Sequence, residues 1–210
     1  MDMEFKLFGL SMEMWKLHNP LDYALFIAVF IGGICMFVYV TKRMAKGRND
    51  IAALNKVLKK LNRLCKGNFC ALKASDCIIP APEGRADLVL IAPDGVHLAR
   101  CIGWGFKVSG AIATATWKVA DNSEERRITN PISELTPKIT ATASLLRKNG
   151  LDVPVTHMIV FADPYSDPRF SLEYGANAMG MRDLKKWYRS LPTIGFDAKA
   201  VKAVLTGKQA

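Results

Sequence analysis

From Tyr23 to Thr41 the chain reads YALFIAVFIGGICMFVYVT, with no charged residue. Wound as a helix at 1.5 Å per residue, this run reaches about 28 Å, close to the thickness of a hydrocarbon core. Tyr23 and Tyr39 stand near its ends, where an amphipathic ring suits the head-group boundary. Lys42, Arg43, Lys46 and Arg48 follow directly, and the segment before the run is net acidic. A basic cluster of this kind is retained in the cytoplasm. The expectation is a single-pass integral protein of the cell (inner) membrane, N-terminus outside and C-terminal domain cytoplasmic. The length of the run and the lack of a small-residue cleavage site distinguish it from a signal peptide. Ala24, Ala28 and Gly32 recur every four residues, a smooth face through which the helix could form a homo-oligomer or join a membrane complex.

At 210 residues, half of them hydrophobic, the chain has room for one such helix and one domain with its own core. The expected division is an extracytoplasmic segment at 1–22, a transmembrane helix at 23–41, a basic linker at 42–49, a domain at 50–165 and a helical extension at 166–210. Residues 1–41 hold Lys6 and Lys16 against Asp2, Glu4, Glu13 and Asp22, so the net +10 of the whole chain becomes +12 over residues 42–210. A surplus of that size favours anionic surfaces, whether lipid head groups, nucleic acid or an acidic protein. Cys35, Cys65, Cys70, Cys77 and Cys101 are odd in number and form no CxxC or Cys/His cluster, which reads as reduced thiols.

Ile51, Leu54, Val57, Leu58, Leu61 and Leu64 share a helical face over residues 50–66, with Lys56, Lys59, Lys60 and Arg63 around it. Those cations and the basic linker are the candidate surface for nucleic acid or membrane. Residues 69–79 and 86–92 are β-rich, and Pro93-Asp94-Gly95 predicts a hairpin into GVHLARCIGW. GAIATATWKVA at 110–120 is a further extended stretch, and the polar DNSEERR after it predicts a solvent-facing turn. Asn130-Pro131 and Thr136-Pro137 each place a capping residue before a proline, which predicts a helix over about 137–148. Met158 to Ala162 is a continuous apolar run and predicts a strand buried on both faces. Helices near 180–190 and 197–206 complete the chain, and 163–178 reads as loop.

The run ADLVLIAPDGVHLARCIGWG, Trp117, Asn130-Pro131 and VPVTHMIVFADP together resemble the nuclease-related domain family, NERD, over about residues 48–163. The family aspartate falls on Asp87, its turn on Pro93 and Gly95, its aromatic position on Trp104, and its Asn-Pro on Asn130 and Pro131. The resemblance implies a restriction-endonuclease-like αβββαβ core. The predicted fold class is therefore α/β, an N-terminal transmembrane helix followed by that core and extra C-terminal helices. It also implies carboxylates around a divalent ion that activates water, with a lysine beside them. Here the chain departs from the pattern. Arg100 stands where the family has its glutamate, and Ile102 where it has its lysine. Glu134 occupies the place of a family glutamine, and the nearest acid to the glutamate of the first helix is Asp50. A guanidinium cannot ligate a metal, so Arg100 opposite Asp87 predicts an internal ion pair.

No catalytic residue is assigned with those substitutions in place; Asp87 is the residual family position, Arg100 and Ile102 the altered ones, and Glu134 a substitute acid. His97 and His157 lack a catalytic partner in sequence and read as structural, as does Trp104 between Gly103 and Gly105. The reading that follows is a non-cleaving binding or assembly module, contacting nucleic acid and needing no cofactor or metal. Two alternatives are a working nuclease with an Mg²⁺ site rebuilt from Asp87, Glu134 and a third carboxylate, and a structural subunit of a membrane-bound complex.

Overall fold

The structure, a computed structural model, describes residues 20–47, 49–80, 83–121 and 124–207. The chain divides into two compact units between Ala45 and Lys46.

Most of helix α1 (Pro20–Gly47) belongs to the first unit. Among the described residues, no helix is long and apolar enough to cross a membrane, which overturns the transmembrane helix expected at 23–41. Ala24, Ala28, Gly32 and Lys42 are exposed, the side chains of Arg43 and Lys46 lie outside the described residues, and so does Arg48.

The second unit keeps the expected order of a helix, three strands, a helix and a strand, with those four strands in one sheet, and adds a second sheet, most of it between the third strand and the second of those helices; its described residues form two sheets and four helices. Helix α2 (Asp50–Leu64) starts because the Asn49 side chain accepts from the Ala52 amide at 2.7 Å, and Ala53, Val57 and Leu61 at every fourth position are buried. Ile51, expected on the same apolar face, is 74% exposed. Strands β1 (Cys70–Lys73), β2 (Leu88–Ala92) and β3 (Gly95–Ile102) follow, β2 and β3 joined by the predicted tight turn with Ala92 opposite Gly95. Gly95 has φ +137°, and a Cβ there would lie 2.5 Å from the Pro154 carbonyl oxygen, so the turn requires glycine.

Strands β4 (Lys107–Gly110), β5 (Thr116–Ala120) and β6 (Glu125–Thr129) form a second sheet, and β6 begins within the segment expected to be a polar turn, taking its last three residues. Its outward residues satisfy no core, but its backbone pairs with all of β5. Helix α3 (Pro131–Lys148) begins six residues before the predicted boundary region at Pro137, which lies inside it. Strand β7 (Val155–Phe161) is the predicted buried strand, and it runs parallel to β3. Strand β8 (Arg169–Leu172) arises within the expected loop and pairs with β4; β9 (Ala178–Gly180) pairs with β7. Helices α4 (Leu184–Ser190) and α5 (Ala198–Thr206) follow. The sheet orders are β1-β2-β3-β7-β9 and β6-β5-β4-β8.

Alternation along the first sheet builds two apolar clusters. Leu88, Leu90, Ala99, Cys101, Met158 and Val160 pack with Val57 and Leu61 of α2 and with Leu184 and Tyr188 of α4. Val89, Ile91, Leu98, Ile102, Ile159 and Phe161 join Trp117 and Val119 of the second sheet, Leu135 and Leu146 of α3, and Val201 and Leu205 of α5. Period two therefore puts Arg100, between Leu98 and Ile102, on the α3 side of the sheet.

Asn130 fixes where α3 starts relative to the second sheet. It is fully buried. Its side-chain oxygen accepts from the Ile132 amide at 2.9 Å, while its side-chain nitrogen donates to the carbonyls of Ile112 at 2.8 Å and Thr114 at 2.7 Å. Replacing Asn130 by Ala leaves those buried groups unpaired, and the expected cost is about 2 to 4 kcal/mol in urea denaturation. Asn130→Asp fares no better, because it keeps the cap but turns an oxygen toward the carbonyls.

Candidate functional site

Asp87 directly precedes β2, and its amide donates to the Ala99 carbonyl at 2.8 Å, continuing the ladder by one residue. The antiparallel register that sets Leu88 opposite Ala99 therefore puts Asp87 opposite Arg100. Glu134 sits in the first turn of α3, where the helix end favours an anion. These three positions, from three elements, meet on the α3 side of the first sheet.

The Arg100 guanidinium joins the two acids. Its Nη1 donates to Asp87 Oδ2 at 2.5 Å and its Nε to Glu134 Oε2 at 2.7 Å. Asp87 Oδ2 also accepts from the Cys101 amide at 2.8 Å. Arg100 is 8% exposed at its side chain, Asp87 10% and Glu134 23%. Burial alone would lower the guanidinium's pKa, but Asp87 and Glu134 outweigh it and hold the value above its ordinary one. Arg100 is therefore a permanent cation set between two acids.

A second arginine extends the network. Arg85 Nε donates to the other Asp87 oxygen at 3.1 Å, and its Nη2 lies 3.5 Å from Asp50 Oδ2. Asp50 Oδ1 accepts from the Gly103 amide at 3.0 Å, which ties the start of α2 to the end of β3. A Cβ on Gly103 would lie 2.3 Å from the Asn49 backbone, so only glycine permits this approach. The Arg85 amide donates to the Glu134 carbonyl at 3.0 Å, holding the loop before β2 against α3. Arg85 was not foreseen from sequence. Its one signal was its place two residues before Asp87, on the same side of an extended chain.

The candidate acids Asp50, Asp87 and Glu134 are thus brought into one network, but each faces a guanidinium. Among the described residues, no group of three or more His, Cys, Asp or Glu could hold a metal ion. Two or more carboxylate oxygens free to converge on one ion are the requirement for Mg²⁺, and this donor set does not fit it. Ile102, at the family's lysine position, is 5% exposed and packs in the cluster that holds Trp117 and Phe161.

The remaining candidate residues fall elsewhere. Nδ1 of His97 lies 2.8 Å from the Thr156 hydroxyl and Nε2 2.8 Å from Asp94 Oδ1, and the ring stands edge-on to Trp187. Burial lowers the pKa of His157, whose Nε2 lies 3.2 Å from the Gly175 carbonyl. Both are bound into the scaffold. The Arg126 guanidinium lies 4.7 Å over the Trp104 ring and is itself held by Glu124, so the tryptophan face is covered. The described cysteines are free thiols; burial raises Cys77 to about 11 and raises Cys101 further, which removes the thiolate from both at neutral pH. On α2, Lys56, Lys59 and Arg63 are exposed, whereas Lys60 donates to the Met181 carbonyl.

The Asp-strand-turn-strand scaffold and the buried Asn-Pro agree with a comparison at the level of sequence. The model of the nuclease-related domain (NERD) matches residues 49–162, more than half of the chain, and the chain belongs to that family. Neither a search of curated proteins nor one of solved structures returned a match.

Removing the guanidinium strands two acids of which Asp87 is almost fully buried. Arg100→Met should therefore cost about 3 to 5 kcal/mol at neutral pH. Combining it with Asp87→Asn and Glu134→Gln should recover most of that loss, because no buried charge is then left unpaired. Denaturant titrations of the two variants check the difference.

Proposed function

We propose that this chain is a nuclease-related domain protein that does not cleave, its metal-binding centre converted into an ion-pair cluster, and that it serves as a binding module contacting nucleic acid. The observation that carries this reading is Arg100, bonded at once to Asp87 and Glu134. Hydrolysis in such a core needs a cation that can bind and acidify water. A guanidinium supplies the charge and holds the acids together, but it has no vacant ligand position and cannot activate water. Arg85 closes the other side of Asp87, so a site rebuilt from Asp50, Asp87 and Glu134 would have to displace two arginines. The basic side chains of α2 support the nucleic-acid part, since Lys59 and Arg63 are exposed on a domain with a positive surplus.

Full-length protein incubated with DNA and RNA in Mg²⁺ or Mn²⁺ should leave both intact. Metal-dependent cleavage abolished by Asp87→Asn would overturn the reading. Arg100→Glu combined with Ile102→Lys restores the family signature, and this variant should gain thermal stability on adding Mn²⁺ while the parent chain does not. Binding of a duplex should weaken with salt, and Lys59→Ala with Arg63→Ala should reduce the slope of log affinity against log salt by about 2.

A further inference from the structure

A cavity of about 300 Å³ lies apart from the Asp87 cluster, at the carboxyl ends of the parallel strands β7 and β9. The loop after β7 supplies Asp163, Tyr165, Ser166 and Asp167 to its wall, α2 supplies Lys56, and the turn after β9 supplies Arg182. Crevices outside the carboxyl ends of parallel strands are common ligand sites, because the strands end there and the connecting loops diverge. The volume is at the small end of ligand sites.

The polar groups in this cavity are unevenly matched. Asp163 accepts from the Gly105 amide at 3.3 Å and the Tyr165 amide at 2.8 Å, and Asp167 is paired with Arg182. The wall's carboxylates are therefore occupied within the protein. Two of its donors are not. The Ser166 hydroxyl is buried and has no hydrogen-bond partner, and among the described residues no carboxylate lies within ion-pair distance of Lys56. A buried hydroxyl without a partner is uncommon in a folded protein, and a lysine lining the same cavity offers charge to an anionic acceptor. The surroundings add to the demand. Lys59 and Arg63 continue along α2, and Lys185, Lys186 and Arg189 are exposed on α4, which packs against α2. The wall's own two cations and two carboxylates balance, so the surplus comes from these surrounding cations, and it favours a multiply charged anion over a carboxylate.

We propose that this cavity binds a phosphate monoester, with Lys56 supplying the charge and the Ser166 hydroxyl a hydrogen bond to a phosphate oxygen. The same group could arrive on a small nucleotide or as the terminal phosphate of a nucleic-acid strand, and the site requires nothing of the Asp87 cluster.

Calorimetry on the full chain tests it, with inorganic phosphate, a 5′-mononucleotide, and one oligonucleotide with and without its 5′-phosphate. Saturable phosphate binding is expected, weakened about tenfold by Lys56→Ala and by a smaller factor by Ser166→Ala. Lys148→Ala, an exposed cation on α3 on the other side of the first sheet, should leave phosphate affinity unchanged. A preference for the 5′-phosphorylated strand over its unphosphorylated form would identify the strand end as the source, and tight mononucleotide binding without that preference would identify the free nucleotide. Absence of phosphate binding, or binding that Lys56→Ala leaves unaltered with the variant's circular dichroism intact, would overturn the proposal. No arm contains a divalent metal or reads cleavage, so its failure is distinct from failure of the non-cleaving reading.

Discussion

The contact on which the domain's geometry most depends is the double ion pair of Arg100. One guanidinium connects the residue before β2, the middle of β3 and the first turn of α3. Through Arg85 the same network reaches the first residue of α2. Four elements are thereby held in register by charges that are mostly out of water. Such an arrangement contributes little net stability over apolar packing, but it tolerates no partial removal, because each partner left alone is an uncompensated charge. In a metal-dependent member of this fold a divalent ion would gather such acids, and here the Arg100 guanidinium lies between Asp87 and Glu134.

The apolar scaffold makes that exchange feasible. Arg100 projects from a strand whose neighbours on the same face, Leu98 and Ile102, belong to the cluster under α3. With Ile102 at the lysine position, the apolar core extends up to the Arg100 cluster. Asn130 then holds the second sheet to the start of α3, and Trp117, fully buried, donates from its indole to the Ala111 carbonyl at 3.1 Å in the same loop. Gly110 allows that ring to pack, since a Cβ there would lie 2.4 Å from it. The family's Asn-Pro is accordingly a structural joint between sheet and helix, which explains how it can persist in a chain whose acid-lysine signature has changed.

Much of the first sheet was legible in sequence because its signals are local. Pro93-Asp94-Gly95 specifies a tight turn through its own backbone preferences, and Met158 to Ala162 is too apolar to be anything but buried. The Asp87-Arg100 pairing followed from a gapless count along that hairpin. Elements that depend on distant partners were not legible. Strand β6 is polar because its side chains face solvent, and only pairing with β5 makes it a strand. Strand β8 exists through its parallel pairing with β4, some sixty residues earlier. Pro137 misled because a proline at a first turn and a proline one turn further in look alike, and the Thr136 hydroxyl bonding to the Ile132 carbonyl at 2.8 Å shows the helix already formed there. The apolar run at 23–41 suggested a membrane span by its composition, yet among the described residues no helix meets the length and apolarity that spanning requires.

Paramagnetic nuclear magnetic resonance tests the replacement of metal by guanidinium most directly. The Arg100 Nε–H and the Cys101 amide both donate into the carboxylate cluster, so a Mn²⁺ ion bound by Asp87 or Glu134 would sit within a few ångströms of each. During a Mn²⁺ titration of the full-length protein, both signals should persist with the linewidths of the surrounding core. Selective, saturable broadening centred on those two signals would place a metal among the acids and contradict the account.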